Sequence, residues 1–411
     1  MEYLSPMLQF FQNTVLFIVP FVLVLGVVVT VHELGHFLAA KWLGTKIDRF
    51  SIGFGHPIAA WRDKSGVEWR LGWMPLGGYV RFSGDENMAS LPDSADLDDM
   101  RRELVAQEGE AALGRYFHFK PLWQRAVIVA AGPIANFLLA IAIFAAILMS
   151  VGQVVLPFRV AEVLPNSPAA VAGFREGDLI VEANGRAVKS FDEVLNTVAI
   201  RAEVPTSFVV ERDGRQVTLV ATPSWQEEDN PVAGKQRVGR IGLRPSQRPE
   251  DHIRIRYNPI EAVGGAVQRT WSVLETTVYY LGRMITGQVN ADQLRGPLGI
   301  ADVTKNVAKL GAQDAPNFGA LLGAVGFNLI NMAALISVSI GFMNLLPVPV
   351  LDGGHLMFYV YEAIARRPLA AKVQAAGYRV GLALVLCLML FATWNDLQRL
   401  RVFNLLGGLF S

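Results

Sequence analysis

Residues 15–44 read VLFIVPFVLVLGVVVTVHELGHFLAAKWLG, and this stretch decides the fold class. It is long and apolar enough for a helix that spans a bilayer, which needs roughly 20 such residues. The ten residues before it contain no Lys or Arg, and the apolar run is too long for the core of a cleavable signal peptide. We therefore expect the stretch to stay in the mature protein as a membrane helix.

Three further stretches of similar length and apolarity begin at Ala126, Leu321 and Gly377. Of the 411 residues, 52% are hydrophobic and only 18% are charged, which is typical of a membrane protein with soluble parts. The formal net charge of +1 gives no sign of a nucleic-acid partner, and the single cysteine, Cys387, excludes an intramolecular disulfide. The sequence predicts a polytopic α-helical membrane protein with four transmembrane helices.

Basic residues near the helix ends predict the orientation, because cytoplasmic loops are enriched in Lys and Arg. The segment after the first helix begins with Lys41, Lys46 and Arg49, and the link between the third and fourth helices carries four more basic residues. Both segments are therefore predicted to be cytoplasmic, and the long segment 153–319 is predicted to lie outside. Two arginines behind the fourth helix weigh mildly against this topology.

Two regions outside the spans have patterns of their own. The stretch EWRLGWMPLGGYVRFSG, residues 68–84, predicts a β-hairpin or a strand pair beside the membrane. The stretch SPAAVAGFREGDLIVEANGRAV, residues 167–188, closely resembles bacterial PDZ domains, which bind an extended peptide at a sheet edge. A small β-rich domain that only packs on the membrane part is the alternative. Residues 258–310 have helical spacing without a full span, which is typical of helices along a membrane surface.

The predicted fold class is thus a four-helix polytopic membrane protein with a small α+β or β-rich PDZ-like domain inserted between helices 2 and 3. Its predicted parts are transmembrane helix 1 with the HELGH motif (1–45), a cytoplasmic β-hairpin and acidic loop (46–124), transmembrane helix 2 (125–152), the PDZ-like periplasmic domain (155–248), amphipathic surface helices (249–318), transmembrane helix 3 (319–356), a cytoplasmic link (357–376), transmembrane helix 4 (377–396) and a C-terminal tail (397–411).

The first helix carries the candidate chemistry, because VHELGHFLAA holds two histidines and a glutamate in an apolar run. Residues four apart share a helix face, so His32 and His36 can present their imidazoles to one metal ion. Glu33 lies one step around the helix, where its carboxylate can accept a proton from a water that the metal activates. Polar groups in a membrane helix are costly and usually mark function, which argues against histidines that merely bond neighbouring helices.

A catalytic zinc needs a third protein ligand, and the sequence near the motif does not supply one. Position 42 is Trp42 rather than the histidine of the soluble zincins, and no Glu lies between Glu33 and Glu68. Asp352, in NLLPVPVLDGGHL, directly follows the third apolar run, with two prolines before it and two glycines after it. Taken alone, Asp352 is explained as well by a helix N-cap, but beside the histidine pair it is the leading third ligand.

The motifs HELGH in the first membrane helix and NLLPVPVLDGG in the third, flanking a PDZ-like domain, closely resemble the site-2 protease family of intramembrane zinc metalloproteases. The match is to the bacterial branch typified by the regulator of sigma-E protease, and it covers nearly the whole chain, including GPIANFLLA and RGPLGIA. The resemblance implies that His32, His36 and Asp352 bind Zn²⁺ and that Glu33 is the catalytic base. It also implies that Asn344 holds an unwound substrate strand, for which a helix-packing amide is the alternative.

By the same resemblance, the substrate is a single-pass membrane protein, such as an anti-sigma factor or another membrane-tethered regulator, already trimmed by another protease. The expected location is the bacterial inner membrane, with the active site toward the cytoplasm and the PDZ-like domain in the periplasm. The sequence departs from the tandem PDZ pattern by showing one copy. Two other classes of function remain open, a non-catalytic scaffold that binds protein tails and a transporter, although the chain shows none of the repeated halves that a transporter predicts.

Overall fold

The computed structural model describes residues 4–84, 94–188, 190–230, 234–246, 253–287, 294–313 and 317–399. Its helices are, in chain order, α1 (Leu4–Trp42), α2 (Ser94–Glu108), α3 (Leu122–Ser150), α4 (Pro168–Ala172), α5 (Phe191–Ala199), α6 (Pro259–Ile285), α7 (Pro297–Gln313), α8 (Phe318–Asn344), α9 (Asp352–Ala365) and α10 (Ala371–Arg399). Its strands are β1 (Ile47–Arg62), β2 (Glu68–Phe82), β3 (Gln153–Val155), β4 (Val160–Val163), β5 (Leu179–Ala183), β6 (Arg186–Ala187), β7 (Thr206–Arg212), β8 (Arg215–Ala221), β9 (Ser224–Asn230), β10 (Gly234–Arg240), β11 (Leu243–Pro245) and β12 (Ile253–Ile255).

Four helices of the described residues are long and apolar enough to cross a bilayer, as predicted. The qualifying segments are Ile18–Trp42 of α1, Leu122–Ser150, Gly319–Asn344 of α8 and Ala371–Gln398 of α10. A strand-rich region lies between the second and third of them. The fold class of a polytopic membrane protein with an inserted β-rich region is therefore confirmed. Part of the predicted acidic loop and most of the predicted C-terminal tail fall outside the described residues.

The chain divides into two compact units. The first, called here the membrane unit, comprises Met1–Ile143, Arg269–Leu274 and Ala291–Ser411. The second, called the inserted unit, comprises Phe144–Gln268 and Glu275–Asn290. The residues predicted to carry the chemistry all belong to the membrane unit.

In the membrane unit, α1 packs closely against both α3 and α8. Val24 and Val28 of α1 are buried and form an apolar cluster with Ala333 of α8. The approach of α1 to α3 is closest at Gly35, where an added Cβ would lie only 2.3 Å from the carbonyl oxygen of Ala131. The glycine between the two motif histidines therefore sets the distance between the histidine-bearing helix and α3.

β1 and β2 form an antiparallel ribbon of two bent strands. The first half of β1 is paired on both sides, because Ile52 lies opposite Leu71 and also opposite Gly78. Residues 68–84, expected as a hairpin or a strand pair, thus contain one bent strand whose partner is the preceding strand. The bend passes through Gly77, whose φ of 152° suits a residue without a Cβ. Residues 78–82 form an outer edge of the ribbon, with no further strand partner among the described residues.

Aromatic packing fixes this ribbon to the first membrane helix. Phe37 of α1 makes edge contacts with both Phe50 and Trp69, with ring centroids 5.3 Å apart in each case. Phe37 and Phe50 are almost completely buried, and Ile47 and Ile128 belong to the same cluster. Because Phe37 directly follows the motif, this cluster holds the edge of β2 near the motif face of α1.

The chain makes tight turns between α8 and α9. Two prolines, Pro347 and Pro349, lie in this segment and cannot donate backbone hydrogen bonds. An added Cβ at Gly353 would lie 2.3 Å from the carbonyl oxygen of Leu345, and one at Gly354 would lie 2.3 Å from that of Val348. The glycines allow the start of α9 to pack directly on the turn, which places Asp352 at the first residue of that helix.

The inserted unit contains a four-stranded antiparallel sheet in the order β6-β5-β7-β8. Its core includes Ile180, Val194 and Phe208, each at most 2% exposed. The short helices α4 and α5 both begin at a serine N-cap. The Oγ atoms of Ser167 and Ser190 each accept a hydrogen bond from the backbone N–H of the residue three positions further along. Strands β9 and β10 form a separate hairpin, and β4 pairs with β11 and β3 with β12.

Candidate metal centre

Three side chains with metal-binding atoms converge in the membrane unit. Nε2 of His32 lies 3.2 Å from Nε2 of His36 and 3.2 Å from Oδ2 of Asp352. Nε2 of His36 lies 3.5 Å from the same carboxylate oxygen. Among the described residues, these three form the group of His, Cys, Asp and Glu side chains that is arranged to hold one metal ion. The structure thus brings together residues from opposite ends of the chain.

Helix geometry accounts for the two imidazoles. His32 and His36 lie one turn apart on α1, so their rings occupy the same face. The ring centroids are 4.8 Å apart and the ring planes nearly perpendicular, at 87°. Both Nε2 atoms point toward the carboxylate at the start of α9, because their distances to Asp352 are nearly equal. The pair is therefore pre-arranged to bind one ion through Nε2.

The three donor atoms fit a zinc ion. Ligand atoms about 2.0–2.1 Å from a tetrahedral zinc lie roughly 3.3 Å from one another, and the three observed separations are 3.2, 3.2 and 3.5 Å. Oδ2 of Asp352 is buried and receives no hydrogen bond of standard geometry from the described residues. Two imidazoles and a carboxylate are also a donor set that catalytic zinc sites use, with a fourth position left for water. Both the spacing of the three donor atoms and their chemical type therefore suit a zinc ion.

The face of α3 that meets the histidines is formed by three residues four apart. The carbonyl oxygen of Ile128 lies 2.9 Å from Nδ1 of His36. At Gly132, an added Cβ would lie 2.3 Å from Nε2 of His36 and 2.9 Å from Cε1 of His32. Nδ2 of Asn136 lies 3.2 Å from Nδ1 of His32. This face therefore contacts both rings and has no side chain where they lie closest.

Glu33 lies beside the three convergent residues without joining them. Its carboxylate accepts a hydrogen bond from the backbone N–H of Val80 in β2. The chain of β2 passes close to it, because an added Cβ at Gly78 would lie 3.1 Å from Cγ of Glu33. The outer edge of the ribbon thus lies against Glu33, which lines the same cavity as the histidine pair.

A cavity of about 380 Å³ opens onto this group. His32, Glu33, His36 and Asp352 line it, together with the edge of β2 at residues 78–82. Further lining comes from α9 and from the start of α10, and it includes His355, Phe358, Tyr359, Glu362, Gln374 and Tyr378. Part of the wall is a salt bridge, in which Nη2 of Arg125 lies 2.7 Å from Oε1 of Glu362. The lining of the cavity is therefore both polar and aromatic.

Asn344, predicted to hold a substrate strand, is the last residue of α8. Its Nδ2 lies 3.3 Å from Nε2 of His32. The structure therefore brings it to the candidate metal centre itself. Its role as a substrate contact stays a prediction.

Sequence reasoning missed the contribution of α3. Gly132 and Asn136 interrupt an otherwise apolar run at a spacing of four, and this was the signal that could have revealed a face turned toward a polar group. The carbonyl of Ile128 leaves no trace in the sequence. Two histidines without an assigned role, His118 and His355, also line the cavity.

Comparison with known proteins agrees with this geometry. The sequence pattern of Peptidase family M50 matches residues 20–388. The chain belongs to this family. It is 52% identical to metalloprotease MmpA of Caulobacter vibrioides, over 96% of this chain and 98% of that protein. A protein of Agrobacterium fabrum is 44% identical over 93% of this chain and 96% of its own length. Zinc metalloprotease RasP of Bacillus licheniformis is 30% identical over 95% of this chain and its own full length.

Membership of the M50 family makes the protein a zinc metalloprotease of the site-2 type. The predicted cofactor, Zn²⁺, and the predicted class of enzyme, a zinc metalloprotease, are therefore both confirmed. With four helices suited to a bilayer, this M50 peptidase is a multi-pass membrane protein whose working environment includes lipid.

Proposed function

We propose that the protein is an endoprotease that cleaves single-pass membrane proteins within or next to their transmembrane segment. The observation that carries this proposal is the convergence of His32, His36 and Asp352 beside Glu33, with both histidines and the glutamate on a helix suited to a bilayer. Burying polar groups in a membrane helix costs free energy, so a hydrolytic centre is expected there only when the bond to be cut also lies in or beside the membrane.

In this proposal, His32, His36 and Asp352 hold the zinc and Glu33 is the general base. The zinc, when bound, polarises the scissile carbonyl and lowers the pKa of water to about 7. Glu33 accepts a proton from the attacking water and delivers it to the leaving amine. The backbone N–H of Val80 donates to the carboxylate of Glu33 and so holds this base at the cavity that the histidines also line.

The substrate must be extended at the cut, because a helix hides its peptide bonds in its own backbone hydrogen bonds. The outer edge of β2, residues 78–82, lines the cavity and lacks a further strand partner among the described residues. We infer that an unwound substrate segment adds to this edge as a strand. Asn344 then donates a hydrogen bond from its amide to the substrate backbone.

We further infer that the inserted unit acts as a PDZ-like filter, admitting substrates whose outer part another protease has already removed. The support is the resemblance of residues 167–188 to PDZ domains and the small antiparallel sheet around them. The basic residues after α1 and between α9 and α10 support a location in a bacterial inner membrane, with the metal centre toward the cytoplasm and the inserted unit in the periplasm. Anti-sigma factors and other membrane-tethered regulators are the substrates that fit this arrangement.

The test of the cleavage proposal compares three zinc-loaded proteins in proteoliposomes with a tagged single-pass membrane protein. We expect wild type to cut it, Glu33→Gln to be inactive, and Glu103→Gln, which changes an exposed glutamate of α2, to match wild type. Equal cleavage by wild type and Glu33→Gln would remove Glu33 from the chemistry. Inactivity of all three on several such substrates would favour a non-catalytic scaffold that binds protein tails.

The filter has a separate test, which uses two substrates with the same transmembrane segment. One carries a folded outer domain and the other ends just outside the membrane. We expect the wild-type protein to cleave the short form and to spare the long one. Cleavage of both at the same rate would refute the filter while leaving the proteolytic centre intact.

A further inference from the structure

Asn136 is a polar residue in the apolar helix α3, and it is fully buried, with 0% of its surface exposed. Its amide nitrogen faces Nδ1 of His32 at 3.2 Å. Its amide oxygen, Oδ1, is buried without a hydrogen-bond partner among the described residues. A buried acceptor left unpaired lowers the stability of the fold. An amide in this position is therefore expected to have a use, and the side chain that its amide group faces is that of a proposed metal ligand.

The chemistry of the imidazole decides what Asn136 must do. Both Nε2 atoms face Asp352, so a zinc bound there takes the Nε2 lone pairs and leaves a proton on each Nδ1. A metal-ligating histidine almost always donates this other N–H to an acceptor, which fixes the tautomer and the ring orientation. For His36 the acceptor is the backbone carbonyl of Ile128, at 2.9 Å. The group that faces Nδ1 of His32 must likewise be an acceptor.

Asn136 meets this need when its amide turns by 180° about the terminal side-chain torsion. The turn exchanges the nitrogen and oxygen positions, so that Oδ1 accepts from Nδ1–H of His32 and the amide nitrogen takes the position that Oδ1 held. The backbone at Asn136 has a hydrogen bond of its own, because Oγ of Ser337 donates to its carbonyl oxygen at 2.8 Å. The amide can therefore turn without moving the helix that carries it.

We propose that Asn136 is a positioning residue for the zinc ligand His32, whose Nδ1–H it accepts through Oδ1. This inference rests on the proposed assignment of His32, His36 and Asp352 as zinc ligands. It makes α3 the helix that orients both imidazoles: the Ile128 carbonyl holds one ring, Asn136 holds the other, and Gly132 between them leaves the rings their space.

The test measures zinc affinity of the full-length protein in detergent by competition with a chromophoric chelator. Asn136→Leu keeps the size of the side chain but removes the acceptor, and we expect its affinity to fall about 10- to 100-fold. Asn136→Asp keeps an acceptor and is expected to bind zinc at least as tightly as wild type. Asn331→Leu, the same change in α8 away from the centre, is the matched control and is expected to leave the affinity unchanged. Equal affinities for wild type and Asn136→Leu would overturn the proposal, as would equal losses in the Leu and Asp variants.

Histidine ¹⁵N NMR of the zinc-loaded protein supplies a second readout, which remains usable if Asn136→Leu does not fold. We expect His32 to carry its proton on Nδ1, and the resonance of that proton to move downfield in Asn136→Asp, because a carboxylate is the stronger acceptor. An unchanged resonance, or a metal-bound Nδ1, would overturn the role of Asn136. Failure of wild type to bind zinc at all would instead contradict the proposed function, so the two failures are distinguishable.

Discussion

Gly132→Ala is the substitution whose effect follows most directly from the geometry. The new Cβ would lie 2.3 Å from Nε2 of His36, about 1.1 Å inside the 3.4 Å at which ordinary contact begins. The ring of His36 must therefore move by about 1 Å, whereas zinc–ligand distances are met only within about 0.2 Å. We expect zinc affinity to fall at least about 100-fold, which corresponds to roughly 2.7 kcal/mol.

The assay is chelator competition on the purified protein, together with its melting temperature. The close contact also costs packing energy, so the melting temperature is needed to separate the loss of ligand geometry from a general loss of stability. Gly326→Ala in α8 is the matched control, because an added Cβ there meets nothing within 4 Å. A folded Gly132→Ala protein with the zinc affinity of wild type would refute the assignment of His36 as a ligand held against α3.

Three further predictions concern stability and metal dependence. Arg212→Leu leaves the fully buried carboxylate of Asp178 without the guanidinium that donates two hydrogen bonds to it. We expect the free energy of unfolding to fall by about 3–5 kcal/mol, seen as faster hydrogen exchange in β5 and β7. Arg244→Leu removes an exposed ion pair and should cost less than about 1 kcal/mol, so equal effects of the two variants would contradict this reasoning. Hydrogen bonds from Arg70 and Arg49 hold the pKa of Glu68 below its ordinary 4.5. The ionised Glu68 therefore contributes fully to the stability of the fold above that pH, and this contribution is lost as the pH falls. The melting temperature of wild type should therefore fall more steeply below pH 4.5 than that of Glu68→Gln, and parallel curves would show that the shift does not stabilise the fold. Removal of zinc by a chelator should abolish cleavage, and added zinc should restore it; activity that survives complete removal would contradict a zinc enzyme.

Much of the candidate centre was predictable because it depends on helical periodicity and on the cost of burying charge. His32 and His36 share a face on any helix, and few acidic side chains lie near an apolar run in this chain. Asp352 could therefore be selected as the third ligand from some three hundred residues away. The four spans followed from their length and apolarity alone.

The supporting contacts were not predictable, because they depend on how two helices cross. The contact of Asn136 with His32 requires α1 and α3 to approach as closely as Gly35 allows, and no periodicity encodes that crossing. The carbonyl of Ile128 is a backbone group, which any residue at that position would supply. The pairing of β1 with β2 was likewise not predictable, because alternating apolar and polar residues predict a strand but do not identify its partner.

The central claim is that two histidines of the first membrane helix and an aspartate from the far end of the chain bind one catalytic zinc. Zinc X-ray absorption spectroscopy of the purified protein tests it most directly. We predict a shell of nitrogen and oxygen ligands at about 2.0–2.2 Å with the multiple-scattering signature of two imidazoles, and we predict that Asp352→Ala alters this shell and lowers zinc occupancy. A spectrum without two imidazoles, or one that Asp352→Ala leaves unchanged at full occupancy, would contradict the account.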